Sequence, residues 1–463
     1  MFHPFHVLLA SAATFLTSGC ALGKVVDNGP QHLNEMSSIG KVFQSAGSRP
    51  VHILYVHGMD ATSSADSVVF QKGICEILKD CTLPSSAERD YADSGVFQPG
   101  SAPPPFEYMS NPVWSNAEEW SASAPFVDHY LITRTHGGPI VVDEINWWPL
   151  VFPLKCRNMI TGEAQLAGPY TSLLGLCAQT TQRDSKNPGR FTSYQWISPQ
   201  QAASSQAMPR RGALINRDLK NSILDWGVSD AFMVVGSMRT LFQEAMRQLF
   251  VKTARFRSNG ARNSDWIQQL QNPQGIDREF IVVSHSLGSY LVFSTLNINQ
   301  PAATPHTVTN ESAGNPETQD AAAQYILERT SLVYFFANQV ALLELAEVDM
   351  PAAASAVSPQ TAQVQPQPQP KAAFSKRITR WSDLRRNFKQ RVGPAEAAPQ
   401  LPEIFAWSDP SDVLTYHVPP IANIKVDNLY VRNTWWHWLF ADPSTAHGNY
   451  AKNKEVLKVM MGP

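Results

Sequence analysis

Glu279-Phe-Ile-Val-Val-Ser284-His285-Ser286-Leu287-Gly288-Ser-Tyr-Leu-Val-Phe293 is the stretch that decides the fold. Glu279 to Val283 is a short, nearly continuous apolar run, the pattern of a strand covered on both faces. Leu287 to Leu296 suits a helix, so the chain must turn from strand to helix through Ser284-His285-Ser286. So sharp a turn needs small side chains two residues before and after its tip; Gly288 supplies one, and Ser284 meets the need less well than glycine would. Ser286 then stands at the end of a strand, beside the positive end of the next helix.

The same alternation runs outward in both directions. Val51–Val56, Val333–Phe336, Ile404–Trp407 and Asn428–Val431 read as further strands. Val68–Leu78, Leu219–Phe256, Gln339–Ala346 and Lys454–Met461 read as helices. Tyr130–Thr135 and Ile140–Ile145 flank Gly137-Gly138 and suggest a hairpin or two successive strands. Alternation of this kind predicts an α/β fold, a mainly parallel sheet with helices on both faces. Insertions interrupt it near 90–125 and 149–211, and an Ala/Gln/Pro-rich linker spans 351–370. Behind the linker, Phe374, Ile378, Trp381, Leu384, Phe388 and Val392 recur at helical spacing among eight Lys/Arg within 371–391. A basic helix could lie on an anionic membrane; covering the sheet is the favoured reading, because amphipathic surface helices are the norm.

The 463 residues are 43 % hydrophobic, with 37 Lys+Arg against 39 Asp+Glu. That balance excludes a disordered or fibrous chain, and it offers no basic field for nucleic acid. No Gly-rich phosphate loop occurs, and neither a metal nor a cofactor is called for. Four cysteines lie beyond the N-terminal region: Cys75, Cys81, Cys156 and Cys177. They permit three disulfide connectivities, of which short loop closure favours Cys75–Cys81 and Cys156–Cys177.

Chemistry-bearing groups sit at the ends of the expected strands. Val51-His-Ile-Leu-Tyr-Val56 runs into His57-Gly58-Met59. Ile404-Phe-Ala-Trp-Ser408 runs into Asp409-Pro410-Ser411-Asp412-Val413-Leu414. Ala446-His447-Gly448-Asn449-Tyr450 precedes the last helix. Together with Ser286, in this chain order, these residues resemble the α/β-hydrolase superfamily, with Ser284 where its nucleophile turn usually has glycine.

The resemblance implies a single hydrolase domain over 49–463. Ser286 would be the nucleophile, His447 the base and Asp412 the acid, with Asp409 the less favoured acid. The amides of Met59 and Leu287 would form the oxyanion hole, with Gly58 and Gly288 permitting close approach. His437, among tryptophans, and His417, close behind the acid, are weaker candidates for the base. His136-Gly137-Gly138 suits a turn better than an oxyanion loop. The implied activity is hydrolysis of carboxylic esters, lipid esters among them, as in esterases and lipases. The alternative is an envelope protein using the scaffold as a non-catalytic binding platform.

The apolar run Phe5–Leu16 followed by Thr17-Ser18-Gly19-Cys20 resembles a bacterial lipobox. It implies a signal peptide at 1–19, a lipidated Cys20 and a polar tether to residue 48. Such a protein is exported and anchored by its lipid facing the periplasm, and Ala21 favours the outer membrane. Oligomeric state is not readable from these residues.

Overall fold

The computed structural model describes residues 25–26, 36–58, 66–93, 116–159, 177–185, 189–200, 228–236, 238–256, 266–271, 273, 276–296, 313–343, 373–392, 401–421, 424–433 and 443–462. Its centre is a ten-stranded sheet in the order β1-β12-β11-β10-β9-β2-β6-β5-β3, with β4 beside β5. The strands are β1 (Val25–Val26), β2 (Val51–Val56), β3 (Cys81–Thr82), β4 (Glu88–Tyr91), β5 (Phe126–Arg134) and β6 (Ile140–Asn146). After a small separate hairpin of β7 (Gln182–Arg183) and β8 (Phe191–Ser193) come β9 (Glu279–His285), β10 (Thr330–Phe336), β11 (Glu403–Ser408) and β12 (Val426–Val431). From β12 through β6 the neighbours run parallel. The margins β1, β3, β4 and β5 are antiparallel. The chain is therefore mixed α/β with a mostly parallel sheet.

The principal helices are α1 (Ile39–Ala46), α2 (Asp66–Leu78), α3 (Ala117–Ser123), α4 (Arg239–Arg255), α5 (Leu287–Thr295), α6 (Pro316–Arg329), α7 (Ala373–Val392), α8 (Pro443–Gly448) and α9 (Lys454–Met461). Alternate strand residues divide the core into two layers. Leu54, Val56, Phe280, Val282, Val333 and Phe335 pack with residues of α4, α5 and α6. Ile53, Tyr55, Ile281, Val283, Tyr334 and Trp407 pack with α1, α2 and α9.

The stretch expected to be a polar tether is structured in its second half. Ile39, Val42, Phe43 and Ala46 fall on one buried face, Ser38 Oγ caps the helix by accepting from Lys41 N at 3.2 Å, and Gly47 ends it at φ 60°. Further upstream, Val25–Val26 pairs with Val431–Tyr430. A short helix with a one-sided apolar stripe has little polarity on average to distinguish it from a tether, and the stripe is the signal that identifies it. Among the described residues of the helical stretch expected over 219–256 there are two helices, Ser229–Val235, which ends at Gly236, and α4. The expectations for residues 1–19, Cys20, Met59, His437 and the linker 351–370 lie outside the described residues. Both cysteine pairs, Cys75–Cys81 and Cys156–Cys177, are disulfide-bonded. Among the described residues no helix is long and apolar enough to cross a membrane.

Helix α7 packs mainly on α6, reaching the sheet at Glu279 of β9, and buries Trp381, Phe388 and one of its own charges. Arg385, wholly buried, donates to Glu279 Oε2 at 3.2 Å and to the Glu328 carbonyl at 2.8 Å. Removing one partner of a buried ion pair strands the other charge, at a cost of about 3–5 kcal/mol. Arg385→Ala should lower unfolding free energy by about that amount in urea titrations, whereas Arg386→Ala, an exposed neighbour, should change it by under ~1 kcal/mol.

A second buried polar chain crosses β2, β6 and β5. Asp143 accepts from His52 Nδ1 at 2.7 Å and from His129 Nδ1 at 2.6 Å, with Asp90 beyond His129 at 3.8 Å. Burial opposes charge on the His129 ring, but Asp143 and Asp90 outweigh it and push the group up to about 9. Its stabilisation is therefore complete below the ordinary value of 6.5 and is lost as pH rises through about 9. Unfolding free energy should fall over that window, and the extra slope should be missing from His129→Gln in a pH series of urea titrations.

Candidate functional site

At the end of β9 the chain turns into α5 through Ser286, whose backbone lies at φ 53° and ψ −126°. A non-glycine residue held in so sparse a region costs about 1–3 kcal/mol, so its neighbours must enforce it. Three do. Ser286 N donates to the Phe336 carbonyl at 2.8 Å, tying the turn to the end of β10. Gly288 brings α5 against the end of β2, where a Cβ would overlap the carbonyls of Val56 and His57. Gly58 lies so close that a Cβ would sit 2.7 Å from Ser286 Cβ. Ser284 is accommodated because its buried hydroxyl donates to Ser289 Oγ at 3.1 Å.

The Ser286 hydroxyl is 2.7 Å from His447 Nε2. His447 Nδ1 lies 3.0 Å from each carboxylate oxygen of Asp412. This arrangement fixes the tautomer: Nδ1–H donates to Asp412 and leaves Nε2 to accept the serine proton. The Asp412 side chain is 1 % exposed against 15 % for His447, so the acid is dry while the base reaches the surface.

Asp409, the less favoured acid, does different work. Its oxygens accept from Ser411 N at 2.7 Å and Asn433 N at 2.6 Å, pinning the loop that carries Asp412. Leu414 N reaches Asp412 Oδ1 at 3.0 Å.

Tyr450, three residues beyond His447, braces the Asp412 loop. Its hydroxyl accepts from Asp409 N at 2.6 Å and donates to Asp412 Oδ2 at 3.3 Å. Burial, and the Asp412 charge beside it, raise this phenol well above its ordinary value, so it stays a donor. The ring stacks on Phe336 at 5.8 Å. Nothing in the spacing of a tyrosine three residues after a histidine marks such a bond in advance.

Two further histidines support the turn. His285 donates from Nε2 to the His447 carbonyl at 2.6 Å, and burial beside His447 lowers it to about 3. His57 donates from Nδ1 to the Gly58 carbonyl at 2.9 Å, and burial lowers it to about 4. Its ring stacks on Trp147, whose indole N–H bonds the His57 carbonyl at 3.0 Å. Both rings are thus neutral, fixed spacers. His417 pairs with Tyr430 instead of joining Ser286. His136-Gly137-Gly138 forms the turn between β5 and β6, with Gly137 at φ 96°.

Leu287, the first residue of α5, has an amide that a helix leaves without an intrahelical acceptor. The second expected oxyanion donor, Met59, lies outside the described residues. Among the described residues no cluster of His, Cys, Asp and Glu could hold a metal. Compared with protein-family models, curated proteins and solved structures, the chain matches none.

The close approach at Gly288 gives a direct test of how the turn is held. Gly288→Ala forces a Cβ against fixed backbone, so unfolding free energy should fall by about 1–3 kcal/mol in urea titrations. A neutral result would mean that α5 is free to move away from β2.

Proposed function

We propose that this protein is a serine hydrolase of the α/β-hydrolase type, cleaving carboxylic esters through an acyl-enzyme on Ser286. The observation that carries the reading is the continuous hydrogen-bonded line from Ser286 Oγ through His447 to the buried Asp412. A serine alcohol is a weak nucleophile unless a base adjoins it, and here the base is in contact. Ser286 Oγ attacks the ester carbonyl carbon as its proton passes to His447 Nε2. The resulting imidazolium is stabilised by Asp412 and returns the proton to the departing alkoxide, releasing the alcohol. Water then repeats the sequence on the acyl-serine and frees the carboxylic acid. Charge gathers on the carbonyl oxygen in both halves, and the Leu287 amide, with that of Met59, is assigned to receive it. The positive end of α5 adds to that field. With a lipid on Cys20, the enzyme would work at the envelope surface, where its esters include those of lipids.

A fluorophosphonate probe, followed by gel fluorescence, tests the assignment. Ser286→Ala should abolish labelling of the folded protein, and Asp412→Asn and His447→Ala should slow it by about 10³-fold or more. Tyr450→Phe removes one hydrogen bond to a carboxylate, so it should slow labelling by about tenfold or more. An unlabelled but folded wild type would favour a non-catalytic binding platform, and labelling that survives Ser286→Ala would mean another nucleophile.

A further inference from the structure

At the same end of the sheet as the serine turn, but three strands away at β5 and β4, lies a cavity of about 460 Å³ that the chemistry above does not use. That size falls within the range of small-ligand sites, about 300–1,000 Å³. Its position follows from two adjacent tryptophans at the end of β6. Trp147 packs on His57, under the turn carrying Gly58. Trp148, the next residue, forms part of the cavity wall. The nucleophile and the cavity therefore share the same end of the sheet.

The walls are aromatic. Phe126 and Tyr91 come from β5 and β4, Phe152 follows Trp148, and Tyr194 and Trp196 follow β8. The Cys156–Cys177 disulfide staples the run of short helical turns from Trp148 to Met159 to the segment before the β7–β8 hairpin, and both Trp196 N and Ile197 N bond the Cys177 carbonyl. Such walls are set before a ligand arrives, which lowers the entropy cost of binding. Polar groups are interleaved with the rings: Gln179, Asp184 and Ser121 also line the space. Gln179 is exposed.

This mixture excludes the simpler occupants. An acyl chain would strand the polar groups. A cationic ligand would meet guanidinium groups already on the rings, Arg89 over Phe126 at 3.7 Å and Arg190 over Tyr91 at 4.3 Å. An anion would find the Arg89 fork committed to Asp128 at 2.6 and 2.7 Å. What remains is a neutral ring with C–H faces to lie on aromatic surfaces and hydroxyls to meet the Gln179 amide and the Asp184 carboxylate. We propose that the cavity is a saccharide subsite, holding the sugar of an O-acylated glycan whose ester is presented to Ser286. The choice of ester rests on the serine-hydrolase reading; the sugar site does not.

The test is binding of cellohexaose, xylohexaose, mannohexaose and chitohexaose to the Ser286→Ala protein, by isothermal titration and tryptophan quenching. At least one should bind saturably, and Trp148→Ala in the same background should weaken it tenfold or more. Gln179→Ala, at an exposed side chain with no hydrogen bond among the described residues, should weaken binding threefold or more without touching the fold. In the catalytically intact protein, Trp148→Ala should lower the preference for the acetylated sugar over p-nitrophenyl acetate at least tenfold. No saturable binding by any of the four sugars, or undiminished binding in both variants, overturns the subsite. Cleavage of p-nitrophenyl acetate without sugar binding overturns it alone. Sugar binding with no ester cleaved supports the subsite and overturns the hydrolase reading.

Discussion

A single strained residue organises this molecule. Ser286 stays at φ 53° because Phe336, at the end of the neighbouring strand, accepts its amide hydrogen. The same Phe336 supports the acid through its ring, which stacks on Tyr450 while the Tyr450 hydroxyl bonds Asp412. Beyond it, Ala337 N bonds the Trp407 carbonyl, and Asn338 holds Tyr416 by its carbonyl and its side-chain amide. The end of β10 thus joins the Ser286 turn, the Asp412 loop and the His447 segment into one bonded network. Strain of about 1–3 kcal/mol at the serine is tolerable only because so many bonds converge on that strand end.

Parallel pairing explains why the groups meet at all. Strands β2, β9, β10 and β11 lie side by side and run the same way, so every connection leaving a carboxyl end arrives at one edge. Val56 pairs with Ser284, and Phe336 with both His285 and Trp407. Residues 51 to 228 positions apart are thus neighbours by register alone. His447 comes from outside the sheet and is drawn in by His285, which bonds its carbonyl.

Much of this was legible because burial on two faces leaves a strong mark. The strand Val51–Val56 and the helix Lys454–Met461 have the bounds that their apolar patterns set. Asp412 and Asp409, both offered by the segment after β11, are separated by what they touch: one a histidine ring, the other backbone amides. What escaped was side-chain geometry and weak periodicity. Tyr450 braces the acid across a fold-dependent gap, and α1 hides its apolar stripe within eight residues. The chain from His52 through Asp143 to His129 was equally invisible, since each residue looks like an interruption in a strand until three strands align.

The central claim is that the Ser286 oxygen becomes covalently acylated during turnover. Rapid acid quenching during turnover of p-nitrophenyl acetate, followed by peptide mass mapping, tests it most directly. The account predicts an acetyl group on the peptide containing Ser286, accumulating in wild type and absent from Ser286→Ala. Turnover with no adduct at any time, or an adduct on a different residue, would contradict it.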